Sequence, residues 1–117
     1  MDKITSFKAY DIRGKVPTEL SVDLAYKIGR TYAHYINARK VVIGYDVRKS
    51  SIELSKALAQ GLTESGADVV NIGLCGTEMI YFATPYLEAD GGIMITASHN
   101  PPEYNGMKFV RQGSVPV

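Results

Sequence analysis

The residue types able to do chemistry gather late in the chain, in Gly91-Gly92-Ile93-Met94-Ile95-Thr96-Ala97-Ser98-His99-Asn100-Pro101-Pro102-Glu103-Tyr104-Asn105-Gly106-Met107-Lys108. An apolar run delivers a serine, a histidine and an asparagine into a stretch stiffened by two prolines, and a lysine follows. A serine hydroxyl is a weak nucleophile until a base or a cation activates it. His99 is the obvious base, but adjacent side chains on extended chain point to opposite sides, which disfavours a hydrolase-type Ser98–His99 dyad. No Gly-x-Ser-x-Gly elbow is present either. Phosphoryl transfer suits these residues better, because it asks for positive charge and positioning rather than a strong base. Lys108, backbone N–H groups and a divalent cation would supply that charge. By residue type alone, Ser98-His99-Asn100-Pro101 is equally an ordinary strand-to-loop exit, since Ser, Asn and Pro are common turn residues.

Such a segment needs a scaffold, and the hydrophobic pattern provides one. Short β-branched runs alternate with longer stretches of helical period, the pattern of an α/β layer domain. Ile4–Tyr10 alternates loosely as a strand and runs into a turn at Gly14. From Ser21, a candidate N-cap, the positions Val22, Ala25, Tyr26, Gly29, Tyr32, Ala33 and Ile36 recur at helical spacing. Val41–Tyr45 forms a buried strand. A second helix starts at Ser50, which has capping-box spacing with Glu53, and stops at Gly66. Asp68–Ile72 is a strand, Thr77 caps a short helix over Glu78–Leu87 strained by Pro85, and Gly91–Ala97 and Met107–Val110 close the list of strands. The result is a single α/β domain over residues 1–117: three layers, α/β/α, with a mostly parallel, mixed sheet of about four to five strands and a terminal hairpin. Ser98 then leaves the carboxyl edge of the sheet, where open α/β sheets bind ligands. The turn dipeptide Asn105-Gly106 brings the chain back, so Lys108 lies near the level of Thr96 with its ammonium in reach of the Ser98 hydroxyl.

Composition narrows the functions. A chain of 117 residues with 45% apolar content matches one compact domain with one core. Thirteen basic against twelve acidic residues, a net charge of +1 and no run of like charges argue against a nucleic-acid partner. No segment is long and apolar enough for a membrane span. The single cysteine, Cys75, rules out an internal disulfide, and with only His34 and His99 there is no His-rich metal cluster. With no apolar leader after Met1, a reducing, cytoplasmic location is the expectation. Tyr26, Tyr32 and Tyr35 are expected to pack at a helix–sheet or domain boundary, His34 to lie at the surface, and Cys75 to act as a small buried hydrophobe.

Thr96-Ala97-Ser98-His99-Asn100-Pro101 followed by Tyr104-Asn105-Gly106-Met107-Lys108 closely resembles the phosphoserine loop of the α-D-phosphohexomutases. Phe7-Lys8-Ala9-Tyr10-Asp11-Ile12-Arg13-Gly14 resembles the N-terminal signature of the phosphomannomutase/phosphoglucomutase branch. It departs from the phosphoglucosamine mutase pattern at Lys8-Ala9-Tyr10-Asp11. Gly44-Tyr45-Asp46-Val47-Arg48-Lys49-Ser50-Ser51 is similar to the family's Gly-x-Asp-x-Arg-x-Ser-Ser element.

This resemblance implies an N-terminal domain, about the first quarter of a four-domain enzyme that moves phosphate between O6 and O1 of mannose through a hexose 1,6-bisphosphate. A phosphoglucomutase or a dual-specificity enzyme would use the same motifs. Ser98 would be the phosphoserine, and its phosphate one ligand of Mg²⁺. Tyr10, Arg13, Asn100 and Lys108 would contact the phosphohexose, Arg13 by bidentate phosphate contact. Lys108 would stabilise charge or move a proton at the sugar hydroxyl, and His99 would shape the loop in the catalytic site. Arg48 and Asp46 are expected to organise the loop, Arg48 pairing with Asp46. The family's Asp-Gly-Asp-x-Asp-Arg metal loop and Gly-Glu-x-Ser-Gly sugar loop have no match in these residues. The implied partners are therefore the C-terminal domains of the same polypeptide. The isolated domain is expected to be inactive and to self-associate weakly. The alternative of another class is a non-catalytic α/β phosphoprotein or interaction module.

Overall fold

The computed structural model describes residues 11–96, 103–111 and 115–116. Strand β1 (Asp11–Lys15) leads to α1 (Val22–Tyr35), β2 (Lys40–Tyr45), α2 (Lys49–Glu64), β3 (Asp68–Leu74), α3 (Thr77–Tyr86), β4 (Gly91–Ile95), β5 (Tyr104–Arg111) and the short β6 (Val115–Pro116). The sheet order is β1-β5-β4-β2-β3, with β6 beside β5. Strand β2 runs parallel to β3 and β4, whereas β5 runs antiparallel to β1, β4 and β6. Strands β1 to β4 thus share one direction and β5 alone opposes them, which is the expected mixed sheet with a β4–β5 hairpin.

The sheet divides the apolar interior into two layers instead of the one core expected from chain length. Val41, Ile43, Ile93, Ile95, Met107 and Phe109 meet Leu54, Leu58 and Leu62 on the α1/α2 side. Val42, Met94 and Val110 meet Ile80 and Ala83 on the α3 side. Strands covered on both faces must be apolar throughout, which explains the unbroken burial of Gly91–Ile95.

Helix α1 begins as its sequence dictates. Ser21 Oγ accepts from Leu24 N at 3.0 Å, and Asp23 lies in the first turn. Its inner face carries Tyr32, fully buried, whose hydroxyl donates to Val110 O at 2.6 Å. A buried phenol needs such a partner. Tyr26 packs partly against the core and Tyr35 is exposed, so only Tyr32 meets the sheet in full. Helices α1 and α2 cross through glycines: a Cβ on Gly61 would lie 2.1 Å from Tyr26 O, and one on Gly29 2.5 Å from Leu58 O. Gly66, at φ +97°, ends α2 as expected.

Several local expectations give way to tertiary contacts. The strand expected at Ile4–Tyr10 lies outside the described residues, and the turn expected at Gly14 is instead part of β1, paired with Asn105. Asn105 and Gly106 are likewise strand residues of β5 and not a turn. A Cβ on Gly106 would sit 2.3 Å from Ile12 O and 3.2 Å from Thr96 O, so glycine there permits a close approach of three strands. Lys108 pairs with Met94, two residues short of the level expected at Thr96. Helix α2 starts at Lys49 with Arg48 as N-cap and no side-chain cap; Ser50 therefore falls inside its first turn and forms no capping box, and its Oγ accepts from Asn105 Nδ2. Gly76, not Thr77, is the N-cap of α3, and Pro85 sits inside its last turn, where Leu87 N still reaches Ala83 O.

Replacing Gly61 with Ala tests the α1–α2 contact. Helix propensity favours Ala by about 1 kcal/mol, but a Cβ against the Tyr26 carbonyl forces the helices apart at about 1–3 kcal/mol. Urea denaturation of Gly61→Ala should therefore show a net loss of stability and not a gain.

Candidate active site

The carboxyl ends of β1, β2, β3 and β4 and the start of β5 lie along one edge of the sheet, as their registers require. Residues 97–102, which carry Ser98, His99 and Asn100 and follow Thr96 in the chain, lie outside the described residues, as does Tyr10. The two stems of that segment are described. Thr96 follows β4, with its N–H donating to Gly106 O at 2.9 Å, and Glu103 O accepts from Val16 N at 2.8 Å.

The stems converge on Asp46, just past β2. Its Oδ1 accepts from Arg48 N at 3.0 Å and from Ser51 Oγ at 2.5 Å. Its Oδ2 accepts from Thr96 Oγ1 at 2.8 Å and lies 3.6 Å from Arg48 Nε. Arg48 also donates through a terminal guanidinium nitrogen to Tyr104 O at 2.9 Å. The buried Asn105 donates to Ser50 Oγ at 2.8 Å and Ser51 Oγ at 2.9 Å, while its own oxygen accepts from Gly106 N. Arg48 thus pairs with Asp46 and braces a stem, the arrangement expected of loop organisers. Motif spacing exposes Asp46 and Arg48; it does not expose Ser51, Thr96 or Asn105 as their partners, which come from other elements.

Arg13 and Lys108 occupy adjoining strands. Arg13 is opposite Gly106, and Lys108 is opposite Asp11 on one side and Met94 on the other. Met107 and Phe109 point to the α1/α2 layer, so the period-two pleat turns Lys108 to the other face, the face also shared by Gly106 and Arg13. Two cations selected by sequence therefore share one face beside the strand that delivers Ser98. Across the α2 N-terminus from Asp46 an open groove of about 480 Å³ is lined by Val16, Arg48, Lys49, Ser50, Glu53 and Glu103.

The described residues do not form a Mg²⁺ site. They contain no group of three or more His, Cys, Asp or Glu able to hold a metal. Asp46, the carboxylate bonded to the Thr96 stem, has both oxygens committed to Ser51, Thr96 and Arg48. Cys75, just past β3, is partly buried against the α3-side layer and not the fully buried hydrophobe expected; burial pushes its thiol up, with the Glu78 carboxylate adding to that shift. His34 is exposed on α1, away from this edge. No helix among the described residues is long and apolar enough to cross a membrane.

The family profile described as phosphoglucomutase/phosphomannomutase, alpha/beta/alpha domain I, matches residues 5–117. The chain belongs to this family. It is 56% identical over its whole length to a Salmonella typhimurium phosphomannomutase, of which it spans 26%, and 56% identical to a Klebsiella pneumoniae phosphomannomutase, of which it spans 74%. A Burkholderia thailandensis phosphoglucomutase/phosphomannomutase family protein of known structure superposes with a TM-score of 0.83 at 42% identity, covering 92% of this chain and 26% of that one. The chain therefore spans about a quarter of the length of most of these relatives, and what it shares with them is domain I of the fold.

Two outcomes follow from the site. Asp46→Ala leaves Thr96, Ser51 and Arg48 without their shared acceptor in a partly buried setting, and should cost about 2–3 kcal/mol in urea denaturation. Cys75 should alkylate with iodoacetamide at pH 8 more slowly in the folded chain than in urea, because its raised pKa leaves less thiolate.

Proposed function

We propose that this chain is the phosphoserine domain of a four-domain phosphohexomutase that interconverts mannose 6-phosphate and mannose 1-phosphate. The observation that carries this reading is the shared face of Arg13 and Lys108 beside the end of β4, from which Ser98 departs. The match to domain I and relatives named phosphomannomutase support the sugar and the reaction.

The chemistry is a phosphoryl exchange. With Ser98 phosphorylated, the bond from its Oγ to phosphorus breaks and a new bond forms from a sugar hydroxyl oxygen to the same phosphorus. The hydroxyl proton leaves through a base and ends on the departing Ser98 oxygen, and Lys108 is suited to relay it or to hold the developing charge. The product is a hexose 1,6-bisphosphate. After it turns over in the site, its other phosphoryl group returns to Ser98, which restores the phosphoenzyme. Arg13 matches a phosphate with two parallel N–H donors and so orients the group in flight. Tyr10, His99 and Asn100 complete the surroundings of the transferred group.

Phosphoryl transfer depends on holding the reacting oxygen and phosphorus in line, which is the work of the stems around Ser98. The Mg²⁺ that the resemblance implies would neutralise phosphate charge. Its ligands, other than the phosphate on Ser98, would come from the remaining domains. Those domains also select the sugar, so the domain alone is inactive.

In the full-length polypeptide, Ser98→Ala should abolish phosphoenzyme formation, read by intact mass. A retained phosphoryl adduct would place the carrier elsewhere. Lys108→Met should lower kcat by roughly 10²–10⁴ while the urea midpoint stays near that of the unaltered enzyme. The isolated domain should show no turnover of mannose 1-phosphate with glucose 1,6-bisphosphate, and robust turnover by it alone would sink this assignment.

A further inference from the structure

The side chains of Thr96, Asp46, Ser51 and Asn105 form a continuous hydrogen-bonded chain. Thr96 Oγ1 donates to Asp46 Oδ2 at 2.8 Å, Ser51 Oγ donates to Asp46 Oδ1 at 2.5 Å, and Asn105 Nδ2 donates to Ser51 Oγ at 2.9 Å. Its first member is two residues before Ser98 and its last lies just past the two prolines. The polypeptide between Thr96 and Asn105 and this side-chain chain together close a ring that passes through the N-terminal turn of α2. We propose that the Asp46–Ser51 pair acts as a tie that sets the separation and direction of the two stems, making Thr96, Asp46, Ser51 and Asn105 positioning residues for phosphoryl transfer at Ser98. This inference rests on the phosphoserine role of Ser98 proposed above.

Three observations favour positioning over simple stabilisation. Asp46 joins two elements, one oxygen accepting from Thr96 at the end of a stem and the other from Arg48 N and Ser51 at the start of α2. Asn105, wholly buried, sits in a strand but directs its amide away from the ladder to the two serines of α2. Ser50 and Ser51 lie inside the first turn of α2, whose N-cap residue, Arg48, makes no side-chain cap bond. The polar groups of this turn are directed at Asp46 and Asn105, and so at the stems.

Backbone bonds make the tie two-sided. Thr96 N donates to Gly106 O at 2.9 Å, and Arg48 reaches Tyr104 O at 2.9 Å, so each stem is gripped by its side chain and its main chain. Loss of one hydroxyl in the ring lets the stems shift by a fraction of an ångström without unfolding the sheet. In-line transfer is sensitive at that scale: a misplacement of about 1 Å costs on the order of 10²-fold in rate. Ground-state binding of a sugar phosphate by Arg13 is not part of the ring and should change little.

The test uses the full-length enzyme with Thr96→Val, which is close in shape to Thr and removes only the hydroxyl, and Ser51→Ala, paired with the hydroxyl-retaining Thr96→Ser and Ser51→Thr. Thr96→Val and Ser51→Ala should each lower kcat for mannose 1-phosphate by roughly 10–10², with KM changed less than about threefold on the same premise. Thr96→Ser should recover most of kcat, and burst formation of phosphoenzyme from glucose 1,6-bisphosphate should slow in step with kcat. Unchanged kcat in Thr96→Val overturns the inference, as does a fall in kcat that Thr96→Ser fails to restore. A Ser98→Ala control separates the two levels. If Ser98→Ala keeps turnover, the phosphoserine reading itself fails; if it is dead while Thr96→Val runs at full rate, only the positioning role fails.

Discussion

The Asp46 carboxylate is where separate parts of this domain are held to one another. It sits just past β2 and accepts from Thr96 after β4, from Ser51 in α2 and from Arg48, which in turn holds Tyr104 at the start of β5. A partly buried carboxylate needs this many donors, because an unpaired charge at that depth is far more costly than the net value of any one bond. The same need fixes where the stems of the Ser98 segment can lie. The sheet supplies rigid strand ends, and one acidic residue ties them into a frame.

That frame depends in turn on tight packing on both faces of the sheet. The glycines at the α1–α2 crossing bring backbones into contact, which sets the depth at which α2 presents Ser50 and Ser51 to Asn105. On the opposite face, Met94 and Val110 pack beneath α3 while Lys108, opposite Met94 in register, belongs to the same side of the sheet. Side chains proposed to do chemistry are thus set by side chains that fill space, two or fewer residues away along each strand. This is the common division in open α/β sheets: the apolar middle of a strand gives rigidity, and its carboxyl end gives function.

Much of the architecture was legible from pattern. The order of elements from α1 to β5, the Ser21 cap, the Gly66 stop and the buried runs of β2 and β4 appear as expected because each is written in the pattern of neighbouring residues. The misplacements share a cause. Asn105-Gly106 has the preference of a turn, and Ser50 with Glu53 has the spacing of a capping box, a feature worth about 1 kcal/mol locally. Both lose to one buried contact, the Asn105 amide on Ser50 and Ser51, made across the domain. Gly14 and Gly106 likewise mark places where neighbouring groups come close, and a sequence without its partners makes such glycines look like bends.

The sequence by itself determined the class of fold, the elements, the family and the segment that carries Ser98, because apolar periodicity and a long motif are both written in neighbouring residues. Tertiary structure alone decided the strand register that puts Lys108 opposite Met94 and the ring that joins Thr96, Asp46, Ser51 and Asn105. Directly bonded residues of that ring are separated by as many as 54 positions in the chain. Local preference weakens over a few residues, whereas the demand of a buried polar group for a partner acts wherever the fold brings one within reach.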